Sequence, residues 1–214
     1  MTTQEFSIEF DILYNNLASN TAPPLNEYEK SVFLTKAQSD IVIELYSGRN
    51  NLGLSYESSE EVRNYLKGLL TFTEHTFTPS SNGLSQVPFP TWLMFITREE
   101  LNGNPVIPIS QDEYNRIKNN PFKGPSSRRS LRIVQDGHNI TVWYKAKNNC
   151  TYTIYGIRKP MPIILGGIDD QTLTIEDTPA DTPTECILDP SLHRMILDRA
   201  VLYAKQAYIG GQTQ

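Results

Sequence analysis

The sequence of 214 residues lacks the features of several common protein classes. It has two cysteines, Cys150 and Cys186, without CxxC spacing. We expect free thiols in a reducing compartment, although a disulfide between them stays possible. Its longest apolar runs, 92–96 and 163–165, are far shorter than the ~20 residues that cross a bilayer. Acidic residues interrupt any apolar stretch near the N-terminus, so we expect no signal peptide.

Catalytic and cofactor-binding motifs are also missing. There is no Walker A sequence, no GxGxxG after a predicted strand and no GxSxG elbow. None of the three histidines has a second His or Cys at metal-ligand spacing. Asp169 and Asp170 are better explained as an acidic turn than as a cation site. We therefore expect no catalytic residue, no cofactor and no metal, and we predict that the protein is not an enzyme.

What the sequence does have is an uneven distribution of charge. Residues 114–160 contain ten Lys or Arg and a single acid, Asp136, which gives a net charge of +9. The whole chain carries −5, so the remaining residues carry −14. Opposite charges on separate parts of one chain favour head-to-tail assembly with copies of itself or with an acidic neighbour. The predicted interface residues are Arg116, Lys118, Lys123, Arg128, Arg129, Arg132, Tyr203 and Tyr208.

An alternative use of the basic segment is contact with nucleic acid. Arg128 and Arg129 lie close in sequence to Phe122, and aromatic residues interleave with basic ones on the strands that follow. The pI of about 5.3 and the lack of helix-turn-helix spacing argue against sequence-specific binding. A nucleic-acid-binding accessory protein that uses residues 114–160 is therefore the second hypothesis.

Four helices are predicted from apolar residues that recur at helical intervals. Three lie in the N-terminal third, with the second over 27–46 and the third over 59–70, and a long one lies near the C-terminus. The signals for their ends are capping-box pairs at Thr2/Glu5 and Ser58/Glu61, a cap at Asp189, and stops at Gly48 and Gly210-Gly211.

The middle of the chain has the pattern of strands, with short aromatic or β-branched segments separated by Pro and Gly. Asp136-Gly137 predicts a two-residue hairpin turn, and 147–149 predicts a second one. Residues 111–119 predict one or two helical turns, and 166–185 a hairpin or loop. The predicted strands are 72–78, 85–89, 92–97, 106–109, 131–135, 140–146, 151–157 and 163–165.

From this order we predict an α+β fold. Residues 1–71 and 187–214 would form a helical bundle of three N-terminal helices plus the long C-terminal helix, because a returning helix packs most simply on the first three. Residues 72–186 would form an antiparallel β-rich domain inserted into that bundle.

Several stretches of the sequence together resemble a known family. They are 25–38 (LNEYEKSVFLTKAQ), 112–115 (DEYN) with 120–123 (NPFK), 155–165 (YGIRKPMPIIL), and 186–205 around Leu192-His193-Arg194. They resemble virion structural proteins of crAss-like tailed phages, in particular the ring proteins of the neck. The layout is also similar to the head-to-tail adaptors of short-tailed phages, the tail tubular protein A class.

The resemblance implies a non-enzymatic adaptor in the neck or tail of a virion. Twelve copies would form a ring below the portal protein, with double-stranded DNA passing through the lumen. The helices would build the ring wall, and the β-rich insertion would meet neighbours or the next ring or tail protein. The C-terminal segment would reach toward the portal. Assembly would take place in the host cytoplasm, without a membrane.

Overall fold

The structure, a computed structural model, describes residues 1–17, 23–50, 53–120, 122–134, 139–145, 149–168, 170 and 172–212. The chain forms two compact units. We call Met1–Leu69 with Pro160–Gln214 the terminal unit and Leu70–Lys159 the central unit. Whether these units correspond to domains with the predicted boundaries stays a prediction.

The described residues form five α-helices, one short 3-10 helix and nine strands. The helices are α1 (Thr3–Leu17), α2 (Glu27–Ser47), α3 (Glu60–Leu66), the 3-10 helix Lys67–Leu69, α4 (Gln111–Ile117) and α5 (Pro190–Gln212). The strands are β1 (Leu70–Phe77), β2 (Leu84–Pro88), β3 (Leu93–Leu101), β4 (Asn104–Ser110), β5 (Ser130–Val134), β6 (Asn139–Trp143), β7 (Cys150–Arg158), β8 (Thr174–Ile175) and β9 (Thr178–Pro179).

Local capping fixes where most helices begin. The predicted capping box of α1 is present, since the backbone N–H groups of Thr2 and Glu5 each donate to the other residue's side chain. The α3 prediction is one residue off, because Ser59, not Ser58, accepts from the N–H of Val62. The predicted end of the last helix is wrong, because α5 continues through both glycines to Gln212.

The terminal unit has an apolar core between α1, α2 and α5. Phe6 and Phe10 of α1, Leu34 and Ile41 of α2, and Ile196 of α5 are almost completely buried. Phe6 and Phe10 are four residues apart and Leu34 and Ile41 are seven apart, which places each pair on one face of its helix. The helices therefore associate through their apolar faces.

One stripe of α2 is polar and nevertheless buried. Ser31, Thr35 and Gln38 follow one another at helical spacing and are at most 2% exposed. Their side chains bind the backbone of an extended segment, with Leu165 N–H donating to Ser31 Oγ (2.9 Å) and Ile163 N–H to Thr35 Oγ1 (3.1 Å). Gln38 Nε2 donates to the carbonyl of Met161 (2.7 Å). The helix thus satisfies backbone groups that a neighbouring strand would otherwise pair.

The central unit is built on one seven-stranded sheet in the order β1-β7-β3-β4-β5-β6-β2. β7 pairs antiparallel with both β1 and β3, and most of its residues are buried. β4 and β5 are parallel, and α4 lies in the connection between them, since parallel neighbours need a crossover. The sheet is therefore mixed.

The predicted fold class is wrong. The chain is β-rich, with a large seven-stranded sheet and five helices among the described residues, and it is not a helical bundle that carries an inserted antiparallel domain. The third N-terminal helix has only seven residues. The polar stripe of α2 binds an extended segment instead of a further helix. The sheet is not antiparallel throughout, because α4 returns the chain parallel to β4.

The strand pairing of one predicted hairpin is confirmed, and that of the other is wrong. β5 and β6 pair antiparallel, which confirms that the chain reverses there. The Asp136-Gly137 turn itself lies outside the described residues, as does most of the 147–149 turn. The second hairpin is wrong, since β7 pairs with β1 and β3 and β6 pairs with β5 and β2. Burial explains this result, because the apolar β7 occupies a covered position between two strands.

Candidate subunit interface

Five of the predicted interface residues lie on α4 and its connection to β5, in the central unit. Buried Ile117 packs in an apolar cluster with Ile109, Leu131 and Ile133, which anchors α4 to the sheet. Tyr114 meets the ring of Trp143 edge-on, with centroids 5.2 Å apart. Because Ile117 and Tyr114 face the sheet, the charged side chains of α4 face solvent. Arg116, Lys118, Lys123 and Arg128 are exposed, and Arg129 is half-buried.

The connection between α4 and β5 is held by its own hydrogen bonds. Asn120 accepts from the N–H of Phe122 through its side chain (3.0 Å) and from the N–H of Lys123 through its carbonyl (3.2 Å). The Arg129 guanidinium donates to the carbonyls of Lys123 and Gly124. A Cβ on Gly124 would lie 3.3 Å from the Trp143 ring, so the backbone sits close against that side chain. The described residues of this loop are therefore linked by hydrogen bonds next to the basic side chains.

The charges of these basic side chains are not matched by any described acidic residue. Within the described parts of the chain, no carboxylate forms an ion pair with Arg116, Lys118, Lys123, Arg128 or Arg129. We call this set, from α4 and the loop after it, the basic surface. Its positive charge is available to a partner.

Summed over each unit, the two net charges have opposite signs. The central unit contains eleven Lys or Arg against six Asp or Glu, a net charge of +5. The terminal unit contains eight against eighteen, a net charge of −10. The positive charge of the central unit comes from residues 114–159, which carry +9, while residues 70–113 carry −4.

Arg132 is placed differently from the other predicted bases. Its Nε lies 2.8 Å from a carboxylate oxygen of Glu99, and the Tyr152 hydroxyl donates to the same carboxylate. Glu99 and Tyr152 are buried, and burial together with the charge of Glu99 raises the pKa of the Tyr152 hydroxyl far above its usual value. The charge of Arg132 is therefore matched inside its own subunit.

The two predicted tyrosines lie on α5 in the terminal unit. The Tyr203 hydroxyl donates to the carboxylate of Asp40 (2.7 Å), and the Lys36 ammonium lies 4.9 Å from its ring centroid. Burial, reinforced by the hydrogen bond to Asp40, raises the pKa of Tyr203. Tyr208 lies one turn further along. That any of the eight residues lies at a subunit interface stays a prediction.

Tyr208 lines an apolar groove of about 360 Å³ within the terminal unit. The groove is formed by side chains of α1, of the start of α2 and of the last turns of α5. Val32, at its wall, is 38% exposed, while the neighbouring Phe33 is half-buried. The lining residues are Tyr14, Pro23, Leu25, Tyr28, Glu29, Val32, Phe33, Ala204, Ala207 and Tyr208.

The groove and the buried network were not predicted from the sequence. No clear sequence signal marks the groove, since adjacent residues of α2 can both be buried, as Ile41 and Val42 are. No signal links Glu99 to Arg132 either, since their contact depends on the order of strands in the sheet.

The described residues offer little for chemistry. Within the described ranges, no three His, Cys, Asp or Glu side chains are grouped as metal ligands would be. Cys150 and Cys186 are both thiols, and burial raises the pKa of Cys186 to about 11. His193 is buried and contacts Phe6 and the Leu188 carbonyl. Asp169 lies outside the described residues. None of the helices in the described ranges combines the length and apolar character of a membrane span.

Comparison with known proteins gives consistent results. The chain matches a family described as phage tail ring protein 3/4 over residues 1–214. It is 39% identical to Ring protein 3 of Bacteroides phage crAss001, over 95% of both chains. It is 36% identical to Ring protein 4/5 of the same phage, over 98% of this chain and 94% of the other. The chain therefore belongs to the phage tail ring protein 3/4 family, a family of phage structural proteins.

Proposed function

We propose that this ring protein is a head-to-tail adaptor in the neck of the virion. Twelve copies form a ring below the portal protein, and a further ring or tail protein binds the other side. Genomic DNA passes through the ring without base-specific contacts, the protein has no enzymatic role, and the ring assembles in the host cytoplasm. Both relatives are named as ring proteins, which supports a ring as the form of assembly.

The observation that carries this proposal is the separation of charge between the two units. A ring needs two different patches on every subunit, so that each copy contacts the next in the same way. The central unit at +5 and the terminal unit at −10 provide such patches. An exposed ion pair contributes only ~0.2–1 kcal/mol, so the charges set the orientation of neighbours while apolar contacts hold them together.

The acidic excess also suits a protein through which DNA moves. Phosphates carry one negative charge each and are repelled by a surface of the same sign. A channel with a negative wall would let the duplex slide without being retained. The basic surface, in turn, would be covered by neighbouring subunits in the ring.

The test is assembly of the purified chain, alone and with the portal protein of the same phage, measured by native mass spectrometry and negative-stain microscopy. The double variant Arg116→Glu/Arg128→Glu should raise the concentration at which rings form by about tenfold or more, because two attractions become repulsions. Arg132 is left unchanged because Glu99 binds it.

The matched control is Lys145→Glu/Lys159→Glu, which changes the net charge equally at two exposed positions of the same unit. It should assemble nearly as the wild type does. Equal loss in both variants would show that only total charge matters, and an undisturbed Arg116/Arg128 variant would remove the basic surface from the interface.

The second hypothesis, a nucleic-acid-binding accessory protein, draws support from the exposed Phe122 beside the basic residues. Binding of short DNA over a salt series distinguishes the two. A chain that stays monomeric with the portal protein yet binds DNA with a steep salt dependence would favour this alternative.

A further inference from the structure

Phe122 is the most exposed large apolar side chain among the described residues, at 94%. The next in order, Phe72, is 60% exposed and contacts the Tyr155 ring at a tilt of 36°. Phe122 lies on the loop of the basic surface, where Asn120 and Arg129 fix the backbone on either side. A ring exposed to this degree buries little apolar surface against its own subunit, so that surface is left for burial by a partner.

The terminal unit offers a complementary recess. The groove described above is lined mainly by apolar and aromatic side chains, including Tyr14, Val32 and Phe33. Its volume of about 360 Å³ lies within the range of clefts that bind apolar groups. Glu29 lines it as well and is exposed, so an acid stands beside the apolar lining.

We propose that Phe122 of one copy inserts into this groove of the next copy in the ring. The proposal rests on the ring function above. The charges favour this occupant, since Lys123 follows Phe122 directly and Arg128 lies on the same loop of a unit of +5, whereas the groove belongs to a unit of −10. An aromatic anchor in an apolar pocket with charges around it is the usual arrangement of an energetically dominant contact.

The geometry of the contact also agrees with a ring. Phe122 and the groove lie on different units of the same chain. Every copy can therefore insert its Phe122 into one neighbour and accept the Phe122 of the other neighbour. Such a head-to-tail contact closes into a ring when the rotation between neighbours allows it. Phe122 supplies the apolar part of the contact that exposed ion pairs alone cannot provide.

The contact can be trapped with p-benzoylphenylalanine in place of Phe122, using the full chain under conditions in which microscopy shows rings. Mixing copies labelled with different nitrogen isotopes separates links between copies from links within one. We expect covalent dimers whose linked peptides contain residues 23–33 or 204–208 of the other copy. The same photoreactive group at Phe72, also exposed and in the central unit, should not label those peptides.

Alanine variants give an independent measurement. Phe122→Ala should raise the concentration required for rings by about tenfold or more. Val32→Ala should raise it less, and the double variant should behave nearly as Phe122→Ala alone, because groups in contact are not additive. Ile43→Ala, on the same helix and 40% exposed, should have no effect. Unchanged helical circular dichroism would show that each variant is folded.

The outcomes separate this inference from the ring function. If wild-type rings form but the photoreactive group at position 122 crosslinks to another surface, to DNA or to nothing, the contact between Phe122 and the groove is wrong and the ring function stands. Fully additive alanine effects would also overturn the contact. If the chain forms no ring with or without the portal protein, both proposals fail together.

Discussion

The two units differ in how several of their basic side chains are matched. In the terminal unit, Lys30 binds Asp11 of α1, and Arg199 of α5 binds Glu44 of α2, so these bases join helices to one another. In the central unit, the exposed bases of the basic surface have no carboxylate partner among the described residues. The difference indicates that charge in the terminal unit contributes to its own packing, whereas charge on the basic surface is available to another subunit.

Arg132 is the exception that sharpens this comparison. It lies on β5, close in sequence to the basic surface, yet its charge is matched by buried Glu99. Its counterpart in the terminal unit is Lys30, which is 2% exposed and bound to Asp11 and Glu27. The two pairs differ in their acids, because the Glu99 side chain is 3% exposed whereas that of Asp11 is 48% exposed.

The largest effect is expected for Glu99→Ala. Removing this carboxylate leaves the Arg132 guanidinium largely enclosed and the Tyr152 hydroxyl without its acceptor. Breaking a buried pair in this way costs about 3–5 kcal/mol of unfolding free energy. Urea unfolding followed by tryptophan fluorescence measures it, because both tryptophans, Trp92 and Trp143, lie in the central unit.

The control for that prediction is the adjacent residue. Glu100 pairs with Arg98, whose side chain is 61% exposed, so Glu100→Ala should cost less than about 1 kcal/mol. Similar losses for the two variants would show that the Glu99 network does not stabilise the sheet beyond a surface pair.

The sequence predicted the parts of this fold that depend on local signals. The spacing of apolar residues gave α2 almost to its bounds, Thr2 and Glu5 gave the start of α1, and the apolar segments on either side of Asp136-Gly137 gave the antiparallel β5–β6 pair. These features arise within a few neighbouring residues, where propensity and capping act.

The remaining features depend on contacts between residues far apart in the chain. From the sequence alone, the polar face of α2 is indistinguishable from one that faces solvent. It is buried because it binds the extended backbone at 161–165. The position of β7 between β1 and β3 follows from packing of the whole sheet. Of the candidate site, the sequence identified the charge of the basic surface, but not that Glu99 matches Arg132 or that the groove lies beside Tyr208.

The second prediction concerns the buried polar stripe of α2 in the terminal unit. Thr35→Val keeps the shape of the side chain but leaves the buried N–H of Ile163 without the acceptor it has at 3.1 Å. An unsatisfied buried donor costs about 1–3 kcal/mol. Loss of helical circular dichroism in urea measures the change. Thr35→Ser retains the hydroxyl and should recover most of the stability, and equal losses for both variants would point to packing instead.

A smaller effect is expected for Lys30→Met. Burial alone would lower the pKa of Lys30, but hydrogen bonds to Asp11 and Glu27 outweigh burial and raise it. Methionine keeps the apolar stem buried, and the two acids left behind are exposed enough to be hydrated. The cost should therefore be at most about 1 kcal/mol in urea unfolding, well below that of Glu99→Ala. A loss as large as for Glu99→Ala would mean that exposure of the remaining partner does not decide the cost.

The smallest effect is a dependence on pH that should differ between the units. Burial lowers the pKa of His193 below its usual 6.5, so the folded terminal unit binds a proton less readily than the unfolded chain. The stability contributed by neutral His193 is present above pH 6.5 and is lost as the pH falls below that value. The midpoint temperature of unfolding should therefore fall more between pH 7.5 and pH 5.5 when it is followed by helical circular dichroism than when it is followed by tryptophan fluorescence.

His193→Gln can still donate to the Leu188 carbonyl. This variant should reduce the change in midpoint seen by circular dichroism and leave the change seen by fluorescence as it is. Equal shifts in wild type and variant would assign the acid sensitivity to carboxylates instead.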